Sequence, residues 1–359
     1  MKKGSSVLVA GLLACALAGC AQPPVIDSTA SAEPQEADGY QACLMTDASD
    51  DAEGGPAQQA LDGLDRAKTE LGVQINPMTA ESSADYPQVL QTLVDSDCSV
   101  IIALGSGTAD STQAAAKANP GVQFALVDAI PNSAPANLRT VIFSTHESSF
   151  LAGYAAAASS SSGKVGVFGA LSVPAVTIYM DGFVQGVDYY NDAKDADVEA
   201  LGWSLDSQNG TFVRSDSSPY EDASAGQAAA ESLTDDGADV IMAVAGKSGE
   251  GALQLAESDG KTKVIWTETD GCLTEADYCG QQLGSVVKDR GAAIYELIKT
   301  DQEGRSSSGA FTASLRNEAT AFVPSSSADL GTDLSKELDD IAAKIVDGSI
   351  TVTSPSAIG

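Results

Sequence analysis

Histidine is nearly missing from this chain: His146 is the only one in 359 residues. A single imidazole just ahead of a helix reads as a structural residue of intermediate burial rather than a catalyst. Basic residues are scarce as well, 19 lysines and arginines against 50 acids, for a formal charge of −31. Nucleic acids and anionic lipid surfaces are bound through clustered Lys and Arg, so the balance excludes both as electrostatic partners and acts mainly on solubility. The close CxxC pairs usual in zinc sites are absent. No metal or cofactor is expected. The first apolar stretch, Val7 to Ala18, falls short of the ~20 residues that a spanning helix needs.

What is present is a near-repeat. LVDSDCSVIIALG, from Leu93, aligns without a gap to LTDDGADVIMAVA, from Leu233, and the same offset sets VQFALVD against TKVIWTE. Asp128 therefore corresponds to Glu268. Each closes a run of strand-like residues, and in open α/β sheets ligands bind at the carboxyl ends of the strands. Two lobes facing one another would bring both acids into one cleft.

The N-terminal segment carries an address. Lys2 and Lys3 precede the Val7–Ala18 stretch and no acid occurs before Asp27, so residues 1–19 read as a secretory signal. Leu17-Ala18-Gly19-Cys20 resembles the lipobox of bacterial lipoproteins, which makes Cys20 the lipidated N-terminus of an extracytoplasmic, membrane-anchored protein. Several acyl chains hold more firmly than one. Residues 20–38, rich in Pro, Ser, Ala and acids, read as a disordered tether. Beyond Cys15 and Cys20 four cysteines remain, an even number for an oxidising compartment. Cys43 and Cys98 open two strands and can bridge them; Cys272 and Cys279 can close a small loop.

From Gly39 onward strand and helix signals alternate, the pattern of parallel sheets covered by helices. QACLMTD, VQINPMT, CSVIIALG, VQFALVD and TVIFST supply strands of a first lobe. KVGVFGA, VEALGWS, DVIMAVAG and KVIWTET supply those of a second. The expected division is 39–162 plus about 270–305 for lobe 1 and 163–269 plus about 306–359 for lobe 2. The helix SFLAGYAAAASS, with the Ser/Gly stretch to Gly163, is the expected first crossing, and crossings imply hinges.

HESSFLAGYAAA, GKVGVFGALSVPAV and DGFVQGV, together with TDASDD, SSADYPQVL, FALVD, AGKSGEG, TETD and GSVVKDRGAAIYELIK in the same order, resemble the basic membrane protein family of substrate-binding lipoproteins. The resemblance covers nearly all of the chain beyond Gly39. It implies an α/β, two-lobe periplasmic-binding-protein type I fold. It also implies hinge closure on a purine nucleoside, an ABC permease and ATPase as partners, a monomer, and no catalysis. Carried over by position, Asp47 and Asp128 address the base, Tyr220 stacks on it, Gly246 lies in a loop near the ligand, Glu268 and Asp270 receive ribose hydroxyls, and Lys288 stands at the sugar end. Ionised carboxylates only accept hydrogen bonds, so they suit hydroxyl and N–H donors. Two departures matter: Gly55, Pro56 and Ala57 stand where the family has Ser-Phe-Asn, so one aromatic of the stacking pair is missing, with Gln58 or Gln59 left to serve as amide, and Glu268 stands where the family's lobe-two strand motif has Asp.

Other readings of the same residues are blander. Asp47 or Asp270 can cap a helix or turn, Tyr220 can be core, and Lys288 can be the structural partner of the acids. Gly-Lys-Ser at 246–248 lacks the earlier glycine of a phosphate loop, because Ile241 stands there. A glycoside hydrolase needs two acids at a set spacing. A sugar or signalling ligand, read out by a membrane sensor, remains the main alternative within binding.

Overall fold

The computed structural model describes residues 39–48, 54–305 and 309–357. The signal segment, Cys20 and the tether to residue 38 lie outside the described residues. The chain runs β1 (Gln41–Asp47), α1 (Pro56–Leu71), β2 (Gln74–Ala80), α2 (Tyr86–Val94), β3 (Val100–Leu104), α3 (Ala109–Ala118), β4 (Gln123–Val127) and β5 (Leu138–Phe143). It continues with α4 (Thr145–Ser159), β6 (Lys164–Gly169), α5 (Pro174–Lys194), β7 (Glu199–Leu201), β8 (Trp203–Ser204), β9 (Asn209–Gly210), α6 (Ala223–Asp235), β10 (Val240–Val244), α7 (Glu250–Asp259) and β11 (Lys263–Glu268). Last come α8 (Gly271–Thr274), β12 (Gln282–Lys288), α9 (Arg290–Gln302), β13 (Ala310–Ala313), β14 (Thr320–Pro324) and α10 (Gly331–Asp347).

Two six-stranded sheets result, ordered β13-β5-β4-β3-β1-β2 and β14-β12-β11-β10-β6-β7. All pairings within them are parallel except β12 with β14. The sequence dictates this. Val100–Leu104 and Val240–Val244 are apolar and buried throughout, as strands covered on both faces must be. Successive residues point to opposite faces, so Ile102 joins a core under α1 and α9 while Ile101 joins one under α2 and α3. In the second lobe Met242 packs beneath α5 and Ile241 beneath α6 and α7. Each such Leu or Ile stabilises by ~1.5–3 kcal/mol over its exposed state. α1 starts with Pro56 in its first turn and stops at Gly72, left-handed at φ 68°. Disulfides join Cys43 to Cys98 and Cys272 to Cys279, as the spacing of the cysteines anticipates.

Four elements sit in the other lobe from the one expected. α4, anticipated as the crossing itself, packs on α5, β12 and β14 in lobe 2, so the chain crosses at Ser144, before the helix. Nearly every α4 residue from Thr145 to Ala157 is buried, and a helix without a polar face gives no periodicity to show what it packs against. β12, expected in lobe 1, lies between β11 and β14 in the second sheet with α8 packed on it, so of residues 270–305 α9 alone returns to lobe 1. β13, expected in lobe 2, pairs with β5 in the first sheet. A short apolar strand records that it is buried, not which sheet it joins. The chain thus passes between lobes at Ser144, at Asp289 and within 314–319.

Candidate functional site

The ends of β4 and β11 face each other across the lobes. Asp128 follows β4 at φ 59° and Glu268 closes β11 at φ 75°. The left-handed region costs a residue with a side chain on the order of 1–2 kcal/mol, and both halves of the near-repeat bear that cost at the same point. The turn carries each carboxylate off the strand end into the space between the lobes.

Two cations from the second crossing meet them. Lys288 ends β12 and Arg290 opens α9, so lobe 1 supplies Asp128 and Arg290 while lobe 2 supplies Glu268 and Lys288. Lys288 Nζ donates to Asp128 Oδ1 at 3.0 Å and Oδ2 at 3.2 Å and lies 3.0 Å from Glu268 Oε1. Arg290 Nη2 donates at 2.7 Å to both Asp128 Oδ2 and Glu268 Oε2. Tyr179, on α5, donates its hydroxyl to Glu268 Oε1 at 2.7 Å. The Phe143 ring flanks both cations, 5.7 Å from Lys288 Nζ and 5.9 Å from the Arg290 guanidinium, close enough for a cation–π attraction.

Burial pushes the Glu268 carboxyl up, but Lys288 and then Arg290 outweigh it and bring it down to about 2. Burial also opposes the charges of Lys288 and Arg290, and in each case Asp128 and Glu268 outweigh it and raise the pKa. Burial, then the charge of Glu268, raises the Tyr179 hydroxyl well above its ordinary value, so it remains a donor. Interlobe cavities lie on either side. One, of about 320 Å³, is lined by Ser106, Asp128, Ile130, Phe143, Val173 and Ile178. The other, of about 400 Å³, is lined by Gly54, Gln59, Asp62, Asp270 and Thr274. Lys288 lines both.

Of the residues singled out in the sequence, Asp128, Glu268 and Lys288 are in direct contact. Tyr220 is 37% exposed; burial and then the Glu268 charge raise its hydroxyl, while Lys288 opposes them. Gly246 lies against it with φ 55°, where a Cβ would stand 3.2 Å from the Tyr220 carbonyl oxygen. Asp47, at the end of β1, accepts the Tyr86 hydroxyl. Asp270 caps α8 by accepting from Cys272 N at 2.9 Å, and it also faces the larger cavity. His146 is buried in α4, packed beneath Gly182, and burial lowers its pKa despite the charge of Asp181. Arg290, Tyr179 and Phe143 were not singled out. In a chain so poor in cations, an arginine two places from Lys288 was the available signal.

Two doubly wound lobes joined by three crossings, with charged side chains of both meeting between the strand ends, define an α/β protein of the two-lobe periplasmic-binding-protein type I class. Sequence comparison gives the particular family: the chain belongs to the family described as ABC transporter substrate-binding protein PnrA-like, which matches residues 42–355. It is a substrate-binding protein of an ABC transporter. Basic membrane protein A1 of Borrelia garinii subsp. bavariensis is 28% identical over 306 residues, covering 82% of this chain and 83% of that one. The ABC transporter nucleoside-binding protein BmpA of Lactococcus lactis subsp. cremoris is 26% identical over 338 residues, covering 87% and 89%. Among solved structures, an ABC transporter solute-binding protein from Aeropyrum pernix K1 shares the fold with a TM-score of 0.65 at 21% identity, covering 89% of this chain and 94% of that one.

Proposed function

We propose that this protein is a lipid-anchored, extracytoplasmic receptor that encloses a purine nucleoside between its lobes and presents it to the permease and ATPase of an ABC importer. The observation that carries the reading is the meeting of Asp128 and Glu268 at the interlobe strand ends, with Tyr220 beside them. Two ionised carboxylates suit the N–H groups of a base and the hydroxyls of a ribose, and an aromatic face adds stacking of ~1–3 kcal/mol. The Lactococcus lactis relative, named a nucleoside-binding protein, supports this ligand class. Cys20 is the proposed anchor, and the protein acts as a monomer. Ligand contacts from both lobes favour a closed form that the permease recognises, by no more than the ligand's differential affinity for it.

A sugar or signalling ligand is the second reading. It is favoured by Gly55, Pro56 and Ala57, which begin α1 with no aromatic, leaving Tyr220 alone to stack. Calorimetric titration of the detergent-solubilised protein with purine nucleosides and with free sugars separates the two. Saturable one-to-one heat with a nucleoside, lost in Glu268→Ala and in Asp128→Ala, is expected. Heat with sugars alone favours the second reading, and heat with neither contradicts both.

A further inference from the structure

We propose that Arg290 determines what this cleft accepts: its guanidinium occupies acceptor positions on Asp128 and Glu268 that a neutral ligand's donors require, so binding is an exchange in which Arg290 leaves. The inference rests on the cleft being the ligand site. Every oxygen of the two carboxylates is engaged. Asp128 Oδ1 accepts Lys288, and its Oδ2 accepts Lys288 and Arg290. Glu268 Oε1 accepts Tyr179 and meets Lys288, while its Oε2 accepts Arg290. Each carboxylate oxygen can accept twice, so only Asp128 Oδ1 and Glu268 Oε2 keep one position each, and a pair of donors presented to either acid needs a position that Arg290 holds.

One cation is redundant for holding the acids together. Lys288 alone reaches both carboxylates within 3.2 Å. Arg290 comes from the first turn of α9, beside the larger cavity, which its neighbours Asp289 and Gly291 line. Its Nη1 already lies 3.5 Å from Gln59 Oε1 on that side, and Asp62 and Asp270 on the same wall offer acceptors to a displaced guanidinium. Buried donors need partners, so a cation can leave a carboxylate only where others are at hand. With Arg290 in place the four side chains are charge-balanced. A neutral ligand with paired donors displaces it by taking the acceptor positions it holds, the guanidinium passing to the carboxylates on the cavity wall, whereas an anionic ligand would retain it as a partner.

The probes are guanosine, which is neutral, and guanosine 5′-monophosphate, which is anionic, each titrated into the wild-type protein, Arg290→Met and Arg290→Lys, with circular dichroism confirming the fold. Arg290→Met should bind guanosine roughly tenfold more tightly and gain nothing for the monophosphate, and Arg290→Lys should return towards wild type. Guanosine binding weakened tenfold by Arg290→Met, or unchanged, overturns the proposal. A ligand-free arm stands apart from the ligand assignment. Small-angle scattering should give Arg290→Met the same radius of gyration as the wild type, because Lys288 still bridges the two acids, and a larger radius would show that Arg290 is needed to hold the lobes and contradict the exchange. If guanosine binds none of the proteins the nucleoside reading fails, while scattering still decides whether Arg290 links the lobes.

Discussion

Glu268 keeps its charge only through its neighbours. Burial works against ionisation, Lys288 and Arg290 more than offset it, and the folded carboxyl titrates at about 2 against an ordinary 4.5. Because the folded value is the lower one, the linked stability is complete above about 4.5 and is lost as the pH falls towards 2. A third of the side chain is exposed, so solvent screens part of the effect. The melting temperature of the wild type should therefore fall more steeply through this acid range than that of Glu268→Gln; parallel curves would contradict the assignment. Asp128 and Glu268 were legible in the sequence because an acid that ends an apolar strand is costly unless paired or bound, and Lys288 through the family resemblance alone. Arg290 was not, because its carboxylate partners come from the ends of two other strands. Asp270 shows the opposite case, since a residue carried over as a hydroxyl acceptor also has local work as a helix cap.

At the level of elements, α4 and α5 touch backbone to backbone through glycine. A Cβ at Gly153 would stand 2.0 Å from the Phe183 carbonyl oxygen, and one at Gly186 2.0 Å from that of Phe150. Neither site has room for a methyl group. Gly186→Ala must force the helices apart, a change that costs ~1–3 kcal/mol. A drop of several degrees in melting temperature, measured by calorimetry, is expected, and an unchanged value would show that the contact is looser than described. The strands themselves could be read from continuous apolar runs such as VIIAL and VIMAV. The lobe to which β12, β13 and α4 belong could not, since the choice between two equally apolar sheets is made by the crossings. The cysteines were easier, because two that open strands and two in one short loop have few other partners.

For the molecule as a whole, the near-repeat supplies two lobes and three crossings join them. The large negative charge favours solubility, and the four charged side chains proposed to govern binding lie where the lobes meet. Each lobe gives one acid and one cation to that meeting, so the two interlobe ion pairs are reciprocal and charge-balanced. A crystal structure of the guanosine complex examines this most directly. The nucleoside should lie between the lobes with its donors on Asp128 and Glu268 and its base against Tyr220. A nucleoside found outside the cleft, or in it with both carboxylates still held by Lys288 and Arg290, would contradict the binding role of these two acids.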